Sequence, residues 1–524
     1  MDIADKERYG DYTEAGTGKR LVAMFKDVLK WCRDTGNWYE YRGDTGLWSF
    51  VDESRLYHYV LKVAEEVKKD ANERLVDVEV KNEDGEVVRT IKNKTNALNY
   101  ARTMEKLSHC RAAIAFAKDS FLCLQGDFDK NPLYLGLPDC KVINLMTGEV
   151  EESKAEYMIT LALAGTVKDS VSDKFITFIN KFLENEELRN YFWRFCGCAL
   201  LGQELRNTND KMALFVDSVS GSGKSTFLKV LRSAMGDYFK FADIRLLTTE
   251  IKDPNKPNPL LCHLQGARIV GFSEIPAGTQ FVSDVFKRLA AADVALTRNV
   301  FGKMFEYIPN FKLLVMANDL PRPDETDDDS FRCRFRRIKV EKPITEKDPD
   351  IERNAKTKEW RDDMVTWLVK GAQEYLKAGA LDDYNGSNLD TCNLPQPIKD
   401  SIKQYVGDND TMLDFFTANF IFDKDGKEPW QNIFNVYRDY TKDNRTTYYE
   451  FVRTYKKALS RFNLTVKRCW VKVPIGDDDD GVCTPKLLDC VMGIRPIKNT
   501  DTYESLEMVQ KRKQIKVVNN TNVS

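Results

Sequence analysis

The sequence predicts an α/β fold built on a parallel sheet, and three stretches carry that prediction. Met212-Ala213-Leu214-Phe215-Val216 is an apolar run of strand length, followed by a glycine-rich turn and then a helical pattern. Ile269 to Phe272 is a second buried-strand run, with the carboxylate of Glu274 just beyond it. Phe311 to Ala317 is a third, ending in the amide of Asn318. In open α/β sheets, ligands bind at the carboxyl ends of strands, where all three runs place polar residues.

Size and composition set the frame. The chain has 524 residues, enough for several domains with their own cores. Its hydrophobic share is 42%, near the globular norm, and its charged share is 31%, above it. With a formal net charge of −2, any nucleic-acid contact must come from local basic patches. No apolar run approaches the ~18–20 residues of a membrane span, and the acidic N-terminus does not read as a signal peptide. The 12 cysteines form no C-x-x-C pair and there are only 3 histidines, so reduced thiols in a cytoplasmic setting are expected, without zinc.

Along the chain, residues 1–17 are polar and read as a flexible N-terminus. Residues 18–170 read as a helix-rich domain that carries an aromatic hairpin around Gly43–Gly46; its rings are expected in the core. Asn82-Glu83-Asp84-Gly85 signals a further turn. Residues 171–386 hold the α/β core, with helices over 172–205 and 345–384. A linker composition covers 385–397 and leads into a compact C-terminal domain, bounded at 387–497, and 498–524 reads as a disordered tail.

The loop after the first strand is Val219-Ser220-Gly221-Ser222-Gly223-Lys224-Ser225-Thr226. Phe227, Leu228, Val230, Leu231 and Met235 then share one helical side, and Gly236 is a stop. Strand, glycine loop and helix is the setting of a phosphate-binding loop, because small residues let backbone N–H groups cradle an anion at the helix N-terminus. Lys224 can reach the β/γ-phosphates of ATP, and the Ser225 hydroxyl can bind Mg²⁺. Ser218 replaces the usual first glycine. A second Gly-x-Gly-Lys, Gly16-Thr17-Gly18-Lys19, lacks a preceding apolar strand and has Arg20 in the Ser/Thr position; it is expected to be a loop before a helix.

Such a loop needs an acidic partner, and Glu274 can orient Mg²⁺ and an attacking water. Ser273 stands where many ATPases carry Asp, so Glu274 would serve both roles; the plainer alternative is an exposed glutamate at a strand end. Asn318 can hydrogen-bond the γ-phosphate and the water, while Asp319 reads as structural. Arg332, Arg334, Arg336 and Arg337 crowd into six residues after the acidic Asp324–Asp329 stretch. A guanidinium delivered from a neighbouring subunit would stabilise phosphoryl-transfer charge, with Arg334 and Arg337 as the candidates. The remaining arginines would pair with Asp324, Asp327, Asp328 and Asp329.

With these residues assembled, the chain resembles the superfamily 3 helicases of the AAA+ class, nearest to the helicase part of phage/plasmid and poxvirus-type primase–helicases. The motif order carries the resemblance. After the phosphate loop come Gly266-Ala267-Arg268 with Ser273-Glu274, Phe286-Lys287 with Asp293 and Arg298, Pro309 with Lys312 to Asn318 and Pro321, and the arginine cluster. Phe128-Asp129 with Pro132, and Leu145 with Thr147-Gly148-Glu149, resemble the family's N-terminal helicase-associated domain. Pro397, Tyr405, Asp410 and Phe415, with Tyr437 and Tyr440, resemble its C-terminal winged-helix segment. The chain departs from the family at Ser218 and at Ala290-Ala291-Ala292, where Gly-Gly often precedes Asp293.

The resemblance implies an AAA+ parallel-sheet core, a winged-helix-like C-terminal domain and a hexameric ring that translocates on one DNA strand. It implies that Asp293 to Tyr307 forms a pore hairpin carrying Arg298, Phe301, Lys303 and Phe305, with Lys287 and Arg288 on the preceding helix. Lys287, Arg298 and Lys303 are the DNA-contacting candidates. A solvated role for Lys303 and a structural one for Arg298 stay open. In the C-terminal domain, Lys456, Lys457, Lys467 and Arg468 suit duplex DNA, or simply a solvated face. The expected activity is ATP-dependent translocation on single-stranded DNA with unwinding of forked DNA, with a separate primase as partner. The rival readings are an ATP-controlled replication initiator and a DNA-packaging ATPase, and RNA as the substrate stays open.

Overall fold

The computed structural model describes residues 12–497 apart from 203–204, 208, 250–257, 273–274, 277–278, 292, 294, 298–304, 319, 324–328, 346–349, 386–388, 409–410, 442–445, 460–463 and 475–482. Two units are distinguished. One comprises residues up to 322 with 333–385 and 393–398; the other comprises 323–332, 386–392 and the chain from 399 onward.

The first helix, α1 (Glu14–Phe25), starts at Thr13, whose hydroxyl accepts the Gly16 N–H at 3.1 Å. Gly16 to Lys19 therefore lie inside a helix and not in the expected loop, and the helix reaches back into the 1–17 stretch expected to be loose. The glycine serves packing: a Cβ on Gly18 would meet the Ala113 carbonyl oxygen at 3.0 Å. Thr17 is fully buried, and its hydroxyl bonds the Tyr100 hydroxyl and His109 Nε2, the latter at 2.9 Å. The neighbouring Arg20 is buried too, over the rings of Tyr12 and Tyr100.

The chain continues through β1 (Leu29–Cys32), β2 (Asn37–Arg42), β3 (Leu47–Val51), α2 (Glu53–Arg74), β4 (Val78–Lys81), β5 (Val87–Ile91), α3 (Asn93–Met104), α4 (Leu107–Ala117) and β6 (Leu122–Cys123). β2 and β3 pair antiparallel across the Gly43–Gly46 turn, as the alternation predicts, and β4 and β5 pair across the Gly85 turn. The tryptophans of the aromatic hairpin are core on both faces, whereas Phe50, also expected in the core, is exposed. Trp38 packs with Tyr59 and Phe121 among the helices, while Trp48 packs with Phe128 on the other side. A small antiparallel sheet of β7 (Tyr134–Leu137), β8 (Lys141–Asn144) and β9 (Val150–Glu152) follows.

Two capped helices, α5 (Asp173–Phe182) after Ser172 and α6 (Glu186–Leu200) after Asn185, lead to the main sheet. There β10 (Ala213–Ser218) enters the loop and α7 (Lys224–Met235), followed by β11 (Phe239–Phe241), β12 (Ile269–Phe272), α8 (Ser283–Ala291), β13 (Ala295–Thr297), β14 (Phe305–Tyr307), β15 (Lys312–Ala317), β16 (Phe335–Val340) and α9 (Lys358–Ala378). The five-stranded sheet has the order β11-β12-β15-β10-β16 and all its pairs are parallel. β12 and β15 are buried along their whole length, as strands covered on both faces are. Phe182 of α5, Phe192 of α6 and Phe227 of α7 meet with ring centroids 4.9 and 5.0 Å apart from Phe227, so the helical layer predicted over 172–205 packs on the helix that follows the loop. The 385–397 stretch, a linker by composition, is tied down in part: Leu394 is buried, and Asp383 and Asn393 exchange backbone-to-side-chain hydrogen bonds at 2.7 and 3.0 Å.

The second unit contains α10 (Thr411–Asn419), β17 (Phe420–Pro429), α11 (Trp430–Thr441), α12 (Tyr448–Ala458), β18 (Thr465–Pro474) and β19 (Cys483–Pro496). Its strands form an antiparallel sheet in the order β17-β19-β18, and its helices close over a core that includes Phe416, Trp430, Ile433 and Phe451.

Candidate nucleotide site at the sheet edge

Because β10, β12 and β15 are parallel, their carboxyl ends open on one edge of the sheet. The chain leaves β10 at Ser218 and turns through Gly221 at φ 81° and Gly223 at φ 89° into the first turn of α7. Both angles lie in the left-handed region that glycine adopts freely. Gly223 is doubly constrained, since a Cβ there would stand 2.8 Å from Ile344 Cδ1. The outside of the loop is held by the segment after β16: the Val219 N–H donates to the Val340 carbonyl at 3.2 Å, and the Ile344 N–H donates to the Gly221 carbonyl at 3.1 Å. The inside is left to the backbone N–H groups at the N-terminus of α7, which have no intrahelical acceptors. Ser218, in place of the usual glycine, is 2% exposed, and its hydroxyl has no partner among the described residues.

Lys224 and Asn318 meet over this edge. The lysine ammonium donates to Asn318 Oδ1, joining the loop to the end of β15. Partial burial pulls the Lys224 pKa below the usual lysine value, and the nearby Asp217 opposes that pull. Ser225 is exposed on the first turn of α7. Glu274 and Ser273 lie outside the described residues, as do Arg298, Phe301, Lys303 and Asp319. β12, which Glu274 follows, pairs directly with β15 and ends on the same edge.

The arginine cluster divides. Arg337 is 6% exposed and forms an ion pair with Asp217 of β10. Arg336 is fully buried against Asp382, with Nε at 2.9 Å and Nη2 at 2.6 Å from the two carboxylate oxygens, and the Tyr191 hydroxyl donates to the same carboxylate at 2.7 Å. The acidic partners of these two arginines are thus Asp217 and Asp382. Of the partners expected from sequence, Asp324, Asp327 and Asp328 lie outside the described residues. Arg334 immediately precedes β16, at the amino ends of the strands, where its carbonyl accepts the Ala213 N–H at 2.8 Å. At ~3.3 Å per strand residue, roughly 20 Å of β10 separate it from the loop of its own subunit.

Lys287 lies on α8, largely covered and ion-paired to Asp284 at 2.7 Å. Beyond it, β13 and β14 pair antiparallel from Ala295–Tyr307 to Thr297–Phe305, so the Asp293–Tyr307 stretch contains a hairpin stem.

Beneath the sheet lies a polar floor that sequence reasoning missed. Lys312, at the amino end of β15, is 3% exposed and donates to the Asp210 carbonyl. Tyr375 donates to the Asp210 carboxylate at 2.6 Å, and Arg206 donates to the Cys198 and Asn310 carbonyls at 3.1 and 2.6 Å. Burial lowers the Lys312 pKa to about 8 and that of Arg206 to about 10. A second joint ties the N-terminal region to the sheet. Asp129, at φ 51°, accepts the Thr160 N–H at 2.8 Å and faces the buried Arg268, whose N–H donates to the Tyr238 carbonyl at 2.8 Å just before β12. Burial raises the Asp129 pKa, and its bonds from Thr160 and the charge of Arg268 oppose that.

Residues 18–184 match the protein family described as "D5 N terminal like". Three viral proteins, each named a "Putative helicase", align with the chain. L207/L206 of Acanthamoeba polyphaga mimivirus is 26% identical over 62% of the chain, and 121R of Invertebrate iridescent virus 3 is 23% identical over 67%. V13 of the Sputnik virophage is 26% identical over 35%. The chain resembles a viral primase–helicase. It spans 33%, 39% and 25% of the lengths of those three relatives. Among solved structures, the apo C-terminal region of NrS-1 is similar at 11% identity and a TM-score of 0.46, over 89% of this chain and 96% of that one. Among the described residues, no helix is long and apolar enough to cross a membrane.

Proposed function

We propose that the chain is an ATP-driven DNA helicase of the superfamily 3 type, acting in the replication of a virus, phage or mobile element. The observation that carries the reading is the meeting of Lys224 and Asn318 over a glycine loop whose backbone donors face the same edge. A triphosphate lying on the N-terminus of α7 would draw the lysine from the amide to the β/γ-phosphates. Asn318 would then be free to hold the γ-phosphate and the attacking water. Mg²⁺, when bound, would neutralise phosphate charge there. The exposed Ser225 hydroxyl at the helix start suits one of its ligand positions, and Glu274 is the proposed second ligand and orienter of water.

The strand order supports an AAA+ core, since the amide-bearing strand stands between the loop strand and the strand that leads to Glu274. Arg334 lies at the far end of the strands, so it can stabilise transfer only at a neighbour's loop, which implies a ring, and a hexamer is proposed. The β13–β14 stem supports the proposed pore hairpin, for which Arg298, Lys303 and Lys287 of α8 are the proposed contacts to one DNA strand. The helices and the β18–β19 hairpin of the second unit support a winged-helix-like domain. Domains are proposed at 18–170 (helicase-associated), 171–386 (AAA+) and 387–497, and a separate primase is the proposed partner.

Strand displacement on forked DNA tests the reading. Wild-type protein should unwind with ATP and Mg²⁺, and Lys224→Ala should lose both hydrolysis and unwinding. ATP-dependent remodelling of duplex DNA without strand separation would favour the initiator, and translocation on blunt duplex would favour packaging. A protein that neither binds nor hydrolyses ATP would end the proposal.

A further inference from the structure

The β18–β19 hairpin of the second unit carries an exposed apolar pair that the fold itself does not use. Its ten cross-strand pairs run from Thr465–Met492 to Pro474–Cys483. Side chains at alternate positions share a face. On the face that begins at Val466 and Val491, these two residues pack on the unit's core. Four residues further along β18, about 13 Å at strand rise, Trp470 sits opposite Leu487. The tryptophan is 64% exposed and the leucine 41%, beyond the reach of the core.

Its surroundings are basic. Around it the two strands carry Lys467, Arg468, Lys472 and Lys486 against the single acid Asp489, in a chain whose net charge is −2, while Arg495 at the far end of β19 is ion-paired to Asp423. Arg468 shares the Trp470 face and is 70% exposed, with the equally open Asp489 carboxylate 3.9 Å away, a pair of little strength in water. From the neighbouring strand β17, the Lys427 ammonium donates to the Trp470 carbonyl at 3.2 Å. A second copy of the chain laid on this face would set basic strand against basic strand. A polyanion with π-faces is complemented by both the charge and the ring.

We propose that this hairpin contacts nucleic acid, with Trp470, backed by Leu487, stacking on an unpaired base where duplex gives way to single strand, and with Arg468, on the same face, on a flanking phosphate. The proposal rests on the nucleic-acid part of the function above and adds the element that would read the junction. Stacking on an aromatic side chain is tolerant of sequence, and its removal costs roughly tenfold in affinity per base.

Full-length protein without nucleotide is titrated into dye-labelled forked DNA, single strand and blunt duplex, read by anisotropy. Trp470→Ala should weaken fork and single-strand binding about tenfold, leave blunt duplex nearly unchanged and keep the salt slope. Trp470→Phe should retain most of the affinity. Arg468→Ala should instead lower the salt slope by about one. The exposure of Trp470 predicts unaltered melting temperature and elution volume for its variants. Fork binding by Trp470→Ala equal to wild type overturns the proposal. So does an altered oligomeric state with DNA binding intact, which would assign the face to self-association. Wild-type protein that binds none of the three DNAs removes the nucleic-acid reading altogether. Normal fork binding by Trp470→Ala, beside hydrolysis lost in Lys224→Ala, removes only the stacking residue.

Discussion

Asp382→Ala should be among the most damaging single substitutions in the first unit. The side chains of Asp382 and Arg336 are both 0% exposed, and the carboxylate also accepts the Tyr191 hydroxyl and the Tyr384 N–H, the latter at 3.1 Å. Removing it strands a guanidinium in the core, a change that costs about 3–5 kcal/mol in buried pairs. Other contacts survive: the Cys333 and Phe335 carbonyls, each at 3.1 Å, the Tyr384 carbonyl at 3.3 Å and the Tyr384 ring, whose centroid is 4.9 Å from the guanidinium carbon. The lower end, about 3 kcal/mol, is therefore expected. In urea, at roughly 3 kcal/mol per molar, that moves the unfolding midpoint down by about 1 M. The double change Arg336→Met with Asp382→Leu removes both charges and should recover most of the loss. The pair also gives a pH signature. Burial alone would raise the Asp382 pKa, but the charge and hydrogen bonds of Arg336, with those of Tyr191 and Tyr384, hold it below the usual carboxylate value. Its contribution is thus complete above the unfolded value near ~3.9 and fades as pH falls through the lower folded value. A midpoint shift under about 0.3 M in Asp382→Ala, or a double variant no better than the single, would refute the reasoning.

Three further outcomes are expected. Gly223→Ala should abolish nucleotide binding in a fluorescent-nucleotide titration. Adding Ile344→Ala should recover only part, because it removes the 2.8 Å clash but not the strain at φ 89°. Arg334→Ala should lower ATPase turnover by about 10³-fold and regain activity when mixed with Lys224→Ala subunits, since each then completes the other's site; failure to complement would place Arg334 outside the reaction. Lys312 has a folded pKa of about 8, below the unfolded lysine value near ~10.4. Between those values the unfolded chain binds the extra proton, so this group makes stability rise with pH across that window. Urea midpoints from pH 8 to 10 should show the rise in wild type and lose it in Lys312→Met.

What the sequence made legible was local. Apolar runs of strand length, a glycine loop between strand and helix, and turn residues between alternating aromatics are each decided within a dozen residues, and β10, β12, β15 and the β2–β3 hairpin stand where they were read. Lys224 and Asn318, 94 positions apart, could be paired from sequence because each follows a strand whose carboxyl end opens on the same edge. The partners that parallel pairing brings together were not legible. Asp217 and Arg337 are joined only because β10 and β16 are neighbours, and Asp382 reaches Arg336 from beyond α9. Lys312 in an otherwise apolar strand was a signal that could have been used, since a buried lysine implies an acceptor such as Asp210. Gly16 to Lys19 are helical, and not the expected loop, because Thr13 one turn upstream caps the helix.

The arginine cluster shows what the sheet adds to the sequence. On spacing alone its members are equivalent cations beside an acidic stretch. Threaded on β16 they separate by position along one strand. Arg336 points into the helical layer and is consumed by Asp382, and Arg337 reaches back to Asp217 at the base of the phosphate loop. Arg334, before the strand begins, is left at the edge farthest from its own nucleotide site. In the proposed ring, Arg337 would act within its own subunit by fixing β16 against β10. Arg334, before the strand, would be the one placed to serve a neighbour. The same strand would then connect the two ends of the sheet, so that a phosphate gripped at one subunit's loop bears, through Asp217 and Arg337, on the strand that presents Arg334 to the next.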